Sequence, residues 1–488
     1  MNRALLRVSL ACLVMFVLLL LNVNYVQAFD STSLANEPGN IRVFNEQFEY
    51  QRGTIYAGPD TKIAESRLVK GTSTYKRYYP QAAVYAPVTG YDSVYGKTGI
   101  ELAENNDLSG SSAGLQVHNL ISLFTGKQKQ GASVYLTISP KAQQAAYTAL
   151  AAQGKPGAVV ALDPTTGAIL AMASYPTFNP NDYTTLDGKK LVRIDDRLRA
   201  EKSQPLLNRA INATYPPGST FKIVTGSAAF STRAVSGPST TVPAPTRFQL
   251  PGSTTVLINN DGESCENGNP PIIDAFLLSC NTAFAKLGIR VGGAALRTYA
   301  NKFGMNEPDL SVPLPVSPSI IPALTDPDYI ALSAIGQFDD AVTPLQEAMF
   351  AAAIANGGKL MTPYLVQQVL AADLSPVQQA QPKVPSVPVS SQVASDMQQL
   401  MYAVTHNPDG TAYGTASPGV AGVSIAGKTG TAQNGVNNTN LDDAVFTCYA
   451  PTSSPKIAVG VIIQGGGYGA AAAAPIAVKV IQAYLGIT

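Results

Sequence analysis

The residues of this chain that could do covalent chemistry are a serine and a lysine placed three positions apart. Ser219 and Lys222 stand where a Pro-Pro-Gly turn at 216–218 ends and an apolar helical run at 221–230 begins. A serine hydroxyl becomes a nucleophile when a base takes its proton, and a partly desolvated lysine one helical turn away can accept that proton. A helix N-terminus also stabilises a developing oxyanion. The spacing predicts Ser219 as a nucleophile and Lys222 as its base.

Histidine, the usual base for a serine nucleophile, is scarce in this sequence. The chain has 2 histidines, His118 and His406, and we expect both to be surface residues. Ser-x-x-Lys also begins at Ser73, among polar residues, and at Ser453, in a proline-containing turn. Neither copy is followed by an apolar helical run, so the context favours Ser219.

Two further motifs could complete such a site. The second motif is Ser279-Cys280-Asn281, and the third is Lys428-Thr429-Gly430-Thr431 after a strand-like segment near the C-terminus. Lys-Thr-Gly also occurs at 97–99. The later copy is favoured because glycine in a strand lets a ligand backbone approach the edge of a sheet closely.

The three motifs, in this order, resemble those of the penicillin-binding protein and serine β-lactamase superfamily. The similarity extends over nearly the whole chain and is greatest to the class B high-molecular-weight penicillin-binding proteins. Cys280 departs from the Ser, Asp or Tyr more common at the middle of the second motif. The segments that look like the transpeptidase domain of that class are 157–164, 171–178, 336–337, 343–346 and 355–358, and 52–55 is similar to the opening of its N-terminal domain.

The resemblance implies a peptidoglycan D,D-transpeptidase that forms an acyl-enzyme with D-Ala-D-Ala stem peptides, releases D-Ala and cross-links to an acceptor amine. β-Lactam antibiotics would acylate the same serine. A carboxypeptidase or β-lactamase that transfers the acyl group to water is an alternative. A β-lactam sensor or division scaffold without turnover is another.

The resemblance also assigns a role to each motif residue. Ser219 attacks the penultimate carbonyl, and Lys222 accepts its proton. Ser279 and Lys428 pass a proton to the departing amine, while Asn281 orients the substrate amide and holds Lys222. The terminal carboxylate is bound by the third motif, through Thr429, Gly430 and Thr431. The backbone N–H groups of Ser219 and Thr431 form the oxyanion hole.

The expected fold class is α+β, with a transpeptidase domain of the penicillin-binding and β-lactamase type. Strand-like segments lie at both ends of the catalytic region with helices between them, which predicts an antiparallel sheet flanked by helices. A small, mostly β N-terminal domain and an N-terminal membrane segment precede it. The expected division is 1–28 for the cytoplasmic tip and anchor, 30–150 for the non-catalytic domain and 151–488 for the transpeptidase domain.

The first residues predict an export or anchoring element. Arg3 and Arg7 precede an apolar run at 8–21, and this bias places the rest of the chain outside the cytoplasm. We expect a single-pass anchor in the cell membrane. A cleaved signal is the alternative, because the apolar core is shorter than ~20 residues and a passable cleavage site lies at 26–28.

The cysteines indicate one disulfide bond. Cys265 and Cys280 would face an oxidising compartment and enclose a loop of about fifteen residues, whose closure is worth ~3 kcal/mol. Two buried free thiols are the alternative.

Several functions and partners are disfavoured. A net charge of +1 means that the chain has no excess of basic residues to bind nucleic acid. No cluster of His and Cys has metal-ligand spacing, so neither a metal nor another cofactor is expected. Residues 422–429 match a phosphate-loop pattern, but a strand-like segment stands where the loop should be. The N-terminal domain is either a spacer or a surface for self-association or for division or elongation proteins.

Overall fold

The computed structural model describes residues 2–27, 48–115, 130–259, 262, 264–433 and 440–487. Within these residues the fold is α+β, as expected. Its strands are β1 Ile55–Ala57, β2 Thr61–Leu68, β3 Tyr75–Tyr78, β4 Asp92–Ser93, β5 Gly96–Lys97, β6 Ser133–Leu136, β7 Gly157–Leu162, β8 Ile169–Tyr175, β9 Arg247–Gln249, β10 Val256–Ile258, β11 Val366–Leu370, β12 Pro376–Gln379, β13 Ala426–Ala432, β14 Asp443–Ala450 and β15 Ile457–Ile463.

The helices lie mainly between β8 and β13, as the pattern of the sequence predicts. They are α1 Asn2–Tyr25, α2 Ala82–Thr89, α3 Gly99–Ala103, α4 Asn105–Leu108, α5 Pro140–Gln153, α6 Gly188–Ala200, α7 Arg209–Asn212, α8 Lys222–Ser231, α9 Ile272–Leu277, α10 Asn281–Val291, α11 Gly293–Lys302, α12 Pro327–Ser333, α13 Pro344–Ala355, α14 Ser391–His406, α15 Tyr413–Ala416, α16 Pro418–Ala421, α17 Gly469–Ala472 and α18 Ala474–Leu485.

The catalytic region is built on a five-stranded antiparallel sheet in the order β13-β14-β15-β7-β8. Every residue of β14 and β15 is buried, so helices must cover both faces of the sheet. Strands that are buried on both faces appear in a sequence as continuous apolar runs. For that reason the sequence predicts strands at 445–450 and 457–463. The sheet joins the start of the domain to its C-terminal end.

Helix α13 lies in the centre of the catalytic region. Thr343 caps its N-terminus through a hydrogen bond to the N–H of Gln346, and Pro344 occupies its first turn. Each of its residues is buried, and it packs against β7, β14 and β15. Apart from Gln346 and Glu347 its residues are apolar, which is typical of a helix inside a core.

Helix α5 belongs with the catalytic sheet rather than with the N-terminal region. Ser139 caps it, Pro140 opens it and Gly154 ends it in the left-handed conformation, as the sequence suggests. It packs against β8 and α18. A domain boundary at residue 150 would therefore fall inside this helix.

The N-terminal region forms a six-stranded sheet in the order β12-β11-β6-β1-β2-β3. β1 and β6 are parallel, and the other neighbours are antiparallel. The short helices α2 to α4 accompany the strands and were not expected. Two strands, β11 and β12, come from the segment after α13, so the sheet is shared between the two halves of the chain.

A buried ion cluster lies at the centre of the N-terminal region. Arg52 Nε is 2.6 Å from Glu101 Oε2, and Arg77 Nε is 2.5 Å from Glu101 Oε1. Burial alone would raise the pKa of Glu101, but Arg77 and Arg52 outweigh it and hold the pKa below its ordinary value. The carboxylate is therefore ionised and pairs with both guanidinium groups, and Asp92, 3.7 Å from Arg52 Nε, supplies a second negative charge.

One helix of the described residues is long and apolar enough to cross a membrane. It spans Leu5–Tyr25, with a mean hydropathy of 2.4. A signal sequence at an N-terminus can have the same length and composition. Ala28 of the alternative cleavage site lies outside the described residues.

Replacement of the buried carboxylate should destabilise the N-terminal region severely. Glu101→Gln leaves Arg52 and Arg77 without their shared counter-ion, which should lower the free energy of unfolding by about 3–5 kcal/mol. The control is Glu65→Gln, because Glu65 bonds Arg67 at the surface and such pairs contribute less than about 1 kcal/mol. Urea unfolding of the purified protein measures both, and equal effects would contradict the expectation.

Candidate active site

Ser219 lies on a single turn of 3-10 helix, Gly218–Phe221, directly before α8, and we call this turn, together with its N-cap Pro217, the serine turn. The turn is half-buried at Ser219 and faces a cleft of about 380 Å³. Gly218 has a φ of +55°, and its N–H donates to the carbonyl of Gly336 at 2.9 Å. The Pro-Pro-Gly turn of the sequence thus reverses the chain and presents the serine at the start of a helix.

Lys222 lies beneath Ser219 and is completely buried. Its Nζ is 3.0 Å from Ser219 Oγ, 2.7 Å from the carbonyl oxygen of Ser279 and 2.8 Å from Asn281 Oδ1. The two carbonyl oxygens can only accept hydrogen bonds, so they use two N–H groups. A neutral amine has two, and its lone pair then remains for the proton of Ser219.

The second motif links α9 to α10. Ser279 has a φ of +60°, a conformation that non-glycine residues rarely adopt, and Asn281 is the first residue of α10. Cys280 between them is bonded to Cys265, with the Cα atoms 6.2 Å apart. The structure therefore joins the two cysteines that the sequence analysis paired, and the bridge anchors the motif to the wall of the cleft, which Cys265 lines.

The third motif lies on the edge strand β13. Lys428 is fully buried, and its Nζ lies 2.9 Å from Ser279 Oγ. Thr429 and Thr431 line the cleft beside Ser219. A Cβ on Gly430 would lie 3.0 Å from the carbonyl oxygen of Pro217 and 2.9 Å from the Cβ of Val445. Gly430 thus lets β13 approach the serine turn, whereas the sequence analysis placed it against a ligand.

Burial determines the electrostatics of both lysines. Burial first, and the charge of Lys428 second, lower the pKa of Lys222 well below its ordinary value. Burial lowers the pKa of Lys428 to about 7. Ser279 Oγ lies between the two amino groups, 3.2 Å from Lys222 Nζ and 2.9 Å from Lys428 Nζ. The arrangement can pass a proton between two amines, each with a lowered pKa, through one hydroxyl.

The remaining copies of the motifs lie away from this cluster. Ser73 and Ser453 are exposed, and Lys97 belongs to β5. His406 ends α14, where its Nε2 lies 2.9 Å from Ser424 Oγ. His118 lies outside the described residues.

Three residues of the site could not be identified from the sequence motifs. Thr411 Oγ1 lies 2.7 Å from Thr429 Oγ1 and lines the cleft. Tyr468 lines the cleft next to Thr431. Glu347 on α13 contacts Thr220 directly behind the serine turn. Each belongs to a segment that is remote in the sequence from the motif it contacts, and no local pattern marks it.

The comparisons with known proteins agree with this geometry. The family described as the penicillin binding protein transpeptidase domain matches residues 157–482, and the family described as the penicillin binding protein A dimerisation domain matches residues 52–134. The chain therefore belongs to the penicillin-binding protein transpeptidase family. The resemblance to class B penicillin-binding proteins that the sequence suggested is confirmed.

Among individual proteins, the chain is similar to peptidoglycan D,D-transpeptidase PbpA of Mycolicibacterium smegmatis. The two are 41% identical, over 99% of each chain. PbpA of Mycobacterium tuberculosis is 40% identical, again over 99% of each. The crystal structure of PBPA from M. tuberculosis matches with a TM-score of 0.85 and 39% identity, covering 90% of this chain and 100% of that one.

A methyl group at Gly336 should disturb the serine turn. Gly336 has a φ of +71°, and a Cβ there would lie 2.0 Å from the carbonyl oxygen of Gly218. Gly336→Ala should lower the free energy of unfolding by more than about 2 kcal/mol and slow acylation. Gly154→Ala is the control, since Gly154 has a φ of +65° but open space around it, and should cost about 1 kcal/mol with no loss of acylation. Thermal unfolding and labelling with fluorescent penicillin distinguish the two variants.

Proposed function

We propose that this protein is a peptidoglycan D,D-transpeptidase that works through an acyl-enzyme at Ser219. The observation that carries the proposal is the position of Lys222 Nζ, 3.0 Å from Ser219 Oγ and facing two carbonyl oxygens. Two relatives named peptidoglycan D,D-transpeptidase PbpA, at 41% and 40% identity, support it. Acyl-enzyme complexes of M. tuberculosis penicillin-binding protein A with imipenem and penicillin G share the fold.

In the acylation step, Ser219 Oγ attacks the penultimate carbonyl carbon of a D-Ala-D-Ala stem peptide. The serine proton moves to the lone pair of Lys222, which its hydrogen bonds leave free for this purpose. The carbonyl oxygen becomes an oxyanion and is bound by the backbone N–H groups of Ser219 and Thr431. A β-lactam carbonyl reacts at the same serine, which gives the antibiotic acyl-enzyme.

The departing D-Ala needs a proton on its amine, and the cluster offers a route. Lys222 now carries the proton from the serine, and Ser279 Oγ connects it to Lys428 at 3.2 Å and 2.9 Å. The relay delivers the proton to the leaving nitrogen, and the carbonyl–nitrogen bond breaks. Asn281 holds Lys222 at 2.8 Å and orients the substrate amide. The hydroxyls of Thr429 and Thr431 bind the terminal carboxylate.

The acyl-enzyme is then resolved by an amine of a second stem peptide. The acceptor amine attacks the ester carbon, its proton passes to Lys222, and Ser219 leaves as the hydroxyl. The same groups thus act in the reverse direction in the second half of the reaction. No metal or cofactor enters any step.

We infer that the protein is held in the cell membrane by α1 with its catalytic domain outside the cytoplasm. The support is the length and hydropathy of the helix, together with Arg3 and Arg7 at its N-terminal end. The N-terminal domain, non-catalytic in this proposal, acts as a spacer or as a surface for self-association or for division or elongation proteins. Its boundary with the transpeptidase domain lies before α5, since that helix packs against the catalytic sheet.

Loss of Ser219 should abolish acylation. Ser219→Ala removes the nucleophile, so labelling by fluorescent penicillin should fall about a thousandfold or more. Ser73→Ala and Ser453→Ala are matched controls, because each removes the serine of another Ser-x-x-Lys sequence. Both should label as the unaltered protein does. Labelling of Ser219→Ala at the normal rate would rule out the proposed nucleophile.

A second measurement with the same proteins separates transfer from hydrolysis. Incubation with a D-Ala-D-Ala stem peptide should release D-Ala, and an added acceptor amine should appear in a cross-linked product. Release of D-Ala without cross-linking at any acceptor concentration would identify a carboxypeptidase instead.

The base can be tested through its charge. The pKa of Lys222 lies well below its ordinary value, so the amine is neutral above that pKa and the labelling rate should fall as the pH decreases through it. Lys222→Arg places a permanently protonated group there and should lower the rate about a hundredfold or more at every pH. Lys202→Arg, at an exposed position, is the control and should leave the pH profile unchanged. A profile of Lys222→Arg that matches the unaltered protein would exclude Lys222 as the base.

A further inference from the structure

A buried carboxyl group lies directly behind the serine turn, and the mechanism above does not use it. Glu347 belongs to the first turn of α13 and is completely buried. Its Oε1 lies 2.7 Å from the hydroxyl oxygen of Thr220, the residue that follows Ser219. A carboxyl group in this position requires an explanation, because an apolar side chain of similar length would fill the core at a lower cost.

The hydrogen atoms around Thr220 can be counted. Thr220 Oγ1 lies 2.7 Å from the carbonyl oxygen of Pro217 and 2.7 Å from Glu347 Oε1. A carbonyl oxygen can only accept, and a hydroxyl has one hydrogen to donate. Thr220 therefore donates to Pro217, and the hydrogen between Thr220 and Glu347 must belong to Glu347.

The second oxygen of the carboxyl group supports the same protonation state. Among the described residues, no donor lies within hydrogen-bond distance of Glu347 Oε2, although this atom is buried. An ionised carboxylate with an unpaired buried oxygen is far more costly than the carbonyl oxygen of a neutral acid. Burial also raises the pKa of Glu347 to about 8.

We propose that Glu347 is a neutral carboxylic acid that positions the nucleophile by donating a hydrogen bond to Thr220. Thr220 in turn holds the carbonyl of Pro217, and this carbonyl belongs to the turn that presents Ser219. Glu347 is a positioning residue, since it touches neither the substrate nor the reacting atoms. Its part in acylation rests on the proposed function, whereas its protonation state does not.

The backbone of the same residue reaches the third motif. Thr447 Oγ1 donates to the carbonyl of Glu347 at 2.5 Å, and Thr447 lies opposite Lys428 in the pairing of β14 with β13. One residue of α13 thus contacts the serine turn with its side chain and the strand next to Lys428 with its carbonyl. Glu347 therefore connects the serine turn to the strand beside Lys428.

Infrared difference spectroscopy of the full chain tests the protonation state directly. At neutral pH, the spectrum of the unaltered protein minus that of Glu347→Gln should contain the C=O stretch of a protonated carboxyl group, shifted in D₂O. Asp340, a second buried acid, is present in both proteins and cancels in the difference. A carboxylate band in place of the acid band would overturn the proposal, whatever the activity of the protein.

Kinetics test the positioning role. Gln can donate the same hydrogen bond through its amide, so Glu347→Gln should be labelled by fluorescent penicillin within about threefold of the normal rate. Glu347→Met has similar size but no donor and should be about tenfold slower or more. Labelling of Glu347→Met at the normal rate, or loss of labelling in a folded Glu347→Gln, would overturn the role.

A pair of variants at Thr220 covers the case in which Glu347→Met does not fold. Thr220→Ser retains the hydroxyl and should be labelled at close to the normal rate, whereas Thr220→Val should be slowed about as much as Glu347→Met. Labelling of Thr220→Val at the normal rate would overturn the positioning role. If the unaltered protein were not labelled at all, the proposed function would fail while the infrared result would still stand.

Discussion

Two carbonyl oxygens facing Lys222 are the constraint on which the catalytic region depends. One belongs to the backbone of Ser279 and the other to the side chain of Asn281, so both come from the short link between α9 and α10. When Lys222 is neutral, these oxygens accept both of its hydrogens and direct its lone pair towards Ser219. The packing of α8 against α10, α11 and α14 removes water from the same place. Burial lowers the pKa of Lys222 and so favours the base form, while the two oxygens hold that base in position.

This arrangement opposes stability, and the surrounding structure compensates for it. Lys222 and Lys428 are both fully buried, Ser279 has an unfavourable backbone conformation, and Glu347 places a carboxyl group in the core. Each feature would be disfavoured in a protein that only had to fold. The compensation lies in α13, which is buried along its whole length, and in strands covered on both faces.

The sequence allowed the prediction of those features that have a local physical cause. Ser219 could be distinguished from Ser73 and Ser453 because a turn and an apolar helix flank it, and α5 could be recognised from Pro140 and Gly154. Contacts between distant segments could not be predicted. Thr220 and Glu347 are 127 positions apart, and no local pattern relates them. The short helices α2 to α4 were missed since their segment is rich in Tyr and Gly and lacks helical periodicity.

The pairing of β6 with β11 bears on the order in which the chain can fold. The N-terminal sheet is completed by β11 and β12, which are synthesised only after the first strand pair of the catalytic sheet, the serine turn and α13. Until then β6 has an unsatisfied edge, which is a site for incorrect pairing with another chain. The N-terminal sheet is therefore incomplete until this part of the catalytic half has been synthesised. Its last strands are added from within the catalytic half, so the two halves complete their folding together.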